Sequence, residues 1–228
     1  MRTLADLDAA VTECRACPRL VAWREKVAVT KRRAYASDEY WAKPVPGFGP
    51  ADAALAVVGL APSAHGGNRT GRMFTGDPSG DFLFRVLHEV GLASQPTSVD
   101  RADGLTLRGT RLVSPVRCAP PENKPTPAER DTCRHWLADE LRLLRPTLKA
   151  VVVLGAFGWQ ALLPVLAEAG RPVPSPRPAF GHGRVVELGY LQLHGCYHVS
   201  PRNVQTGRVT HEMVFDVIAS AARAAGLF

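Results

Sequence analysis

Four short apolar runs, at residues 55–60, 111–116, 150–154 and 191–198, alternate along the chain with stretches of helical periodicity. Runs this short and this uniformly apolar suit strands buried on both faces. Helical patterns fill 79–92, 126–144 and 156–169, and a last one at 210–227 closes the chain. Parallel neighbours need a connection long enough to be a helix, so this alternation implies a largely parallel sheet covered on both faces, an α/β fold. The helix from Thr126 is well marked: a capping Thr, Pro127 at the first helical position and Glu129 at the reciprocal capping position. An extra strand is expected near 184–188, after a proline-rich connection at 172–178. No internal repeat is present, and 228 residues suit one domain, 1–228, opened by two helices that flank Cys14-Arg15-Ala16-Cys17. In such a sheet ligands collect where loops leave the carboxyl ends of the strands. The loops beginning at Ala61, Arg117 and His198 are therefore the places to look.

No stretch approaches the roughly 20 apolar residues of a membrane span, and Met1 to Leu4 starts no secretory signal, so a cytoplasmic protein without membrane contact is expected. The charge is basic, 28 Lys and Arg against 21 Asp and Glu. Almost all of it is arginine, whose planar fork suits phosphates and base edges. A GC-rich coding sequence explains the same preference, so charge alone decides little. The five cysteines are an odd number and argue against a disulfide framework. Cys14 and Cys17 form a C-x-x-C pair, while Cys118 and Cys133 are more widely separated. A thioredoxin-like strand is missing before the first pair, and the second is too open for a zinc knuckle. Four thiolates from separated elements suit a 4Fe-4S cluster; zinc and unlinked core cysteines remain the alternatives. Cys196 lies in an apolar strand and reads as core.

Residues 59–77 form the most informative loop. Its glycines allow a ligand close to the backbone, yet it has neither the phosphate-binding P-loop pattern nor the dinucleotide fingerprint. Phe74 could stack on a planar base or plug the core. Asp77, directly before Pro78 and Ser79, reads as a helix cap first and a catalytic carboxylate second. In the rigid 117–125 loop, Asn123 offers an amide able to pair with a carbonyl and an N–H, or simply makes a turn. His198 ends the last strand; it could donate to developing negative charge or be structural. The polar loop beyond it, with Arg202, looks able to enter a DNA groove.

Together, the 59–77 loop, Asn123-Lys124-Pro125-Thr126-Pro127, the 198–207 segment and the four cysteines resemble the uracil-DNA glycosylase superfamily, closest to its iron–sulfur branch known as family five. The resemblance spans nearly the whole chain. It implies a three-layer α/β/α sandwich around a four-stranded parallel sheet, with a structural 4Fe-4S cluster on Cys14, Cys17, Cys118 and Cys133. It also implies hydrolysis of the bond joining a deaminated base to deoxyribose in damaged DNA, by a monomer. By analogy Phe74 stacks on the flipped base, Asn123 reads its edge, and His65 and the backbone at Leu60 and Ala61 complete the pocket. His198 would stabilise the departing base anion, and Asp77 would orient water or offset charge on the sugar. Arg69, Arg72, Arg202 and Asn203 are expected on DNA. Two departures stand out. Leu60, Ala61 and Ser63 occupy the region where relatives outside the branch carry a carboxylate or amide, and Arg202 replaces an apolar wedge. The resemblance further suggests a tolerant pocket taking hypoxanthine and xanthine. The rival readings are a strict uracil-only glycosylase of the sister iron–sulfur branch, a non-catalytic damage-binding module and an electron-transfer protein.

Overall fold

A computed structural model describes residues 3–228. The chain runs α1 (Leu4–Thr12), α2 (Pro18–Thr30), β1 (Leu55–Val58), α3 (Gly67–Thr70), α4 (Pro78–Glu89), β2 (Thr110–Val113), α5 (Pro127–Leu144), β3 (Ala150–Leu154), α6 (Ala156–Glu168), β4 (Val185–Leu188), β5 (Leu191–Cys196), α7 (Pro201–Gln205) and α8 (His211–Ala224). Every expected strand and long helix is present, within a few residues of its expected limits.

The sheet has the order β2-β1-β3-β5-β4. The first four strands are parallel, with Val57 opposite Leu112 on one side and Val152 on the other. The expected four-stranded parallel sheet is thus extended by a fifth strand: β4 folds back antiparallel on β5, with Val186 opposite Leu193. The extra strand is the partly exposed edge of this same sheet.

Alternation along the buried strands builds the three layers, because successive side chains leave opposite faces. Leu55, Val57, Val152 and Leu154 join Leu83, Phe84 and Leu87 of α4 and Val214 and Ile218 of α8 in one core. Ala56, Val58, Val151 and Val153 join Leu4 and Leu7 of α1, Leu137 of α5 and Leu162 of α6 in the other. Capping boxes start α1 at Thr3 and α5 at Thr126, the latter with Glu129 Oε2 accepting from the Thr126 N–H at 2.8 Å. Buried charges tie the layers together. Glu140 on α5 accepts from Arg111 Nε at 2.5 Å and also from Arg117, and Arg111 reaches Asp8 on α1 at 2.7 Å. No described helix is long and apolar enough to cross a membrane.

From β1 the chain crosses to β2 on one side and later returns to β3 on the other, so the strand order reverses beside β1. The loops after β1, β3 and β5 meet at this switch point, where open α/β sheets place ligands.

Candidate active site

A cavity of about 580 Å³ opens there, lined by all seven residues that the sequence reading placed at the base or the chemistry: Leu60, Ala61, His65, Phe74, Asp77, Asn123 and His198. Each is positioned by local structure. Phe74 has φ +52°, a left-handed conformation that costs an aromatic residue about 1 kcal/mol or more. The ring lies against Gly59, where a Cβ would come within 2.6 Å of Phe74 Cζ. Asn123 also has positive φ, which its side chain tolerates better than most. The turn-forming reading therefore holds for its backbone, and the residue also lines the cavity.

Asp77 divides its two oxygens. Oδ1 accepts from the N–H groups of Ser79 and Gly80, each at 3.0 Å, and caps α4. Oδ2 accepts from the hydroxyl of Ser63 on the opposite side of the loop. Capping is thus observed, and the second oxygen is held by Ser63, which lines the cavity as Asp77 does. Gly66 leaves room for this pair, since a Cβ there would have to displace the Asp77 carboxylate and the Ser63 hydroxyl.

His198 follows β5. Burial lowers its pKa and the Asp77 carboxylate partly opposes this, so the imidazole is held toward its neutral form, an N–H donor. Its carbonyl accepts from the Asn203 amide at 2.8 Å. His65 Nδ1 meets the Tyr40 hydroxyl at 2.9 Å. Burial lowers its pKa too, helped by the positive charge of Arg32 and Arg69.

The residues expected on DNA fare differently. Arg72 is buried, with its guanidinium bonded to Asp103 at 2.6 and 2.8 Å, to Ser98 and to Thr75. Burial alone would raise Asp103, but these bonds and two backbone N–H groups outweigh it and hold the carboxyl far below its usual range. Arg72 braces the loop and is corrected from a DNA contact to an internal one. Arg69 is similarly committed, to Asp38 at 2.7 Å, to the carbonyls of His65 and Gly76, and to the Tyr35 ring. The Asn203 amide is spent on His198. Of the four, only Arg202 is exposed with no partner among the described residues.

The four cysteines line a second, small apolar cavity with Trp136 and Arg117. Among the described residues no three Cys, His, Asp or Glu side chains are arranged around a single-ion site; the thiols instead surround a shared space. Burial pushes Cys118 up to about 11 and Cys133 to about 12, so thiolates there require a cation or metal to form. Buried Arg24 donates to Cys118 Sγ at 3.0 Å. Trp136 Nε1, Arg24 Nε and two nitrogens of Arg117 are buried donors without a partner among the described residues. A sulfur-rich anionic group between the thiols would meet both needs, so these residues are compatible with an iron–sulfur cluster. Cys196 is fully buried core, as expected.

The sequence reading missed Tyr40 and Arg24. Arg24 did leave a signal: it interrupts the apolar stripe of Leu20 and Val27 on α2 with a charge. It also joins the two cavities, because its carbonyl accepts from the buried Asn68 amide at 3.3 Å, in the loop that carries Ser63 and His65.

Residues 46–220 match the profile of the uracil DNA glycosylase superfamily. The chain belongs to this superfamily. Within it, the near full-length relatives are type-5 enzymes. The type-5 uracil-DNA glycosylase of Mycobacterium tuberculosis (strain CDC 1551 / Oshkosh) is 53% identical over 226 residues, 99% of this chain and 83% of that protein. That of Thermus thermophilus is 50% identical over 220 residues, 95% of this chain and 96% of its own. A type-4 uracil-DNA glycosylase from Thermotoga maritima reaches 30% identity over 113 residues, about half of each chain.

Proposed function

We propose that this chain excises uracil from DNA by hydrolysing the N-glycosidic bond and leaving an abasic site, the first step of base excision repair. The observation that carries the reading is the convergence of Asp77, His198, Phe74 and Asn123 on one cavity at the switch point. Taking a base out of the stack costs a few kcal/mol, which Phe74 offsets by stacking and Asn123 by pairing with the imide edge. Leu60 and Ala61 offer backbone to the pocket wall, and His65 a second imidazole. As the bond breaks, negative charge collects on the base and positive charge on the sugar. A neutral His198 donates its N–H to the former. The Oδ2 of Asp77, steadied by Ser63, faces the sugar's cationic character or the attacking water. Arg202 approaches the DNA outside the pocket.

The cavity is roomy for a pyrimidine, which favours acceptance of hypoxanthine and xanthine as well. It also favours the broad branch over the strict one, in line with the partial match to the type-4 protein. Cys14, Cys17, Cys118 and Cys133 would hold a 4Fe-4S cluster, which when bound supplies metal–thiolate cross-links between the α1–α2 junction, the loop after β2 and α5. The protein is expected to act as a monomer.

Base release from a duplex with one uracil opposite guanine tests the activity, with hypoxanthine and undamaged duplexes in parallel. Cleavage after alkali at uracil, absent from the undamaged strand, is the expected outcome. Binding to the lesion without release would make the chain a damage-binding module. Iron and sulfide in equal amounts are expected in the purified protein, and stoichiometric zinc in their place would overturn the cluster.

A further inference from the structure

Most arginines around the two cavities are committed to the protein: Arg24, Arg69, Arg72, Arg111 and Arg117 all bond to buried or partly buried partners. Arg32 is not. It lines the base cavity, is exposed, and its guanidinium has no partner among the described residues. Arg33 beside it is likewise exposed and unpaired.

The backbone under Arg32 is fixed. Lys31 ends α2 with φ 46° and returns its N–H to the Val27 carbonyl at 2.9 Å. The Arg32 carbonyl accepts from Tyr35 N at 2.8 Å, and the Tyr35 ring is covered by the Arg69 guanidinium at 3.9 Å. A solvated cation on an anchored backbone, at the lip of a cavity meant for a flipped nucleotide, has one obvious complement: the phosphate that must pass the lip as the nucleotide enters. Arg202 stands at the start of α7, next to cavity-lining Ser200 and Pro201.

We propose that Arg32 is a positioning residue that binds a backbone phosphate of the strand carrying the flipped nucleotide, so that Arg32 after α2 and Arg202 on α7 both grip that strand. This deepens the glycosylase reading and rests on it. Each phosphate contact releases counterion, so losing one lowers the salt slope of binding by about 0.9 and weakens binding uniformly across sequences.

The test measures anisotropy of a labelled abasic duplex over a range of KCl concentrations. It compares the full-length protein with Arg32→Ala, Arg32→Lys, Arg202→Ala and Arg177→Ala, the last an exposed arginine outside the cavity lining. Arg32→Ala should lower the slope by about one and weaken binding about tenfold at low salt. Arg32→Lys should restore the slope, and Arg177→Ala should change neither quantity. At subsaturating DNA, excision of uracil and of hypoxanthine by Arg32→Ala should fall by the same factor, following the weaker binding. An unchanged slope for Arg32→Ala, or a loss matched by Arg177→Ala, overturns the proposal. So does a defect confined to one base, which would place Arg32 on the base instead of the backbone. Failure of the glycosylase reading shows separately, as absent base release by the unmutated protein, whatever the salt slopes are.

Discussion

Asp77 caps α4 through one oxygen and meets Ser63 through the other, and the proposed chemistry falls to the second. Because an amide keeps a carbonyl oxygen for Ser79 and Gly80, Asp77→Asn preserves the cap of α4 while removing the charge that faces the cavity. We expect excision to fall by about a hundredfold or more, with a thermal midpoint close to the original. Asp77→Ala should also lose about 1 kcal/mol of stability, read from urea unfolding; equal destabilisation by both variants would reduce Asp77 to a cap. His198→Ala should slow excision by about 10²–10³-fold while abasic-product affinity stays near normal. With His198 as the proposed donor, its lowered pKa sets the expected pH dependence. The neutral donor persists below the ordinary histidine range, so single-turnover excision should be flat through neutrality and decline only at a pH under about 6.5. A rate that rose on acidification through that point would mean a charged imidazole does the work. Gly59→Ala would drive the Phe74 ring into the cavity, which should raise KM for uracil duplex more than it lowers kcat.

At the scale of elements, the conspicuous device is the buried charge network around Glu140. It joins α1, α5, β2 and the loop that carries Cys118 through Asp8, Arg111 and Arg117. Removing one partner of such a network strands the others. Glu140→Gln is therefore expected to destabilise by about 3–5 kcal/mol in denaturant unfolding, far more than loss of the exposed Arg15–Glu25 pair. The long elements were legible in the sequence because their signals are local: a capping box at Thr126, apolar runs for the central strands. The pairing of β4 was not. Its residues Val185-Val186-Glu187-Leu188 are half-exposed at an edge, and nothing in four residues announces which strand they join. α7 hides in a similar way, as a single turn started by Ser200 and Pro201.

For the molecule as a whole, the residues that line the cavity were more legible than those that support it. Taken locally, Asp77 reads first as a cap, Asn123 as a turn or an amide reader and His198 as structural or a donor; the family resemblance gives them roles, and the topology gathers all three at one cavity. Arginine is less informative, because one committed to a carboxylate looks the same in sequence as one aimed at phosphate. Arg69 and Arg72 find Asp38 and Asp103 only after folding, so the excess positive charge overstates the positive surface near the pocket. The histidines also act collectively. His65, His182, His194 and His198 all have pKa values lowered first by burial, so the unfolded chain binds more protons than the folded one below about pH 6.5. Stability should be fully present above that point and fall as pH drops through the folded values. Urea midpoints at about pH 7.5 and about pH 5.5 test this sign.

Asn68 gives this architecture a mechanical consequence. Through the Arg24 carbonyl it moors the base loop to α2, and Arg24 in turn grips Cys118. Damage at the thiols, such as oxidation, would travel along this two-residue tether and arrive as slack in the amides of residues 63–70, where hydrogen exchange can see it. An enzyme that had lost its sulfur chemistry could keep an intact sheet and yet no longer hold a base still.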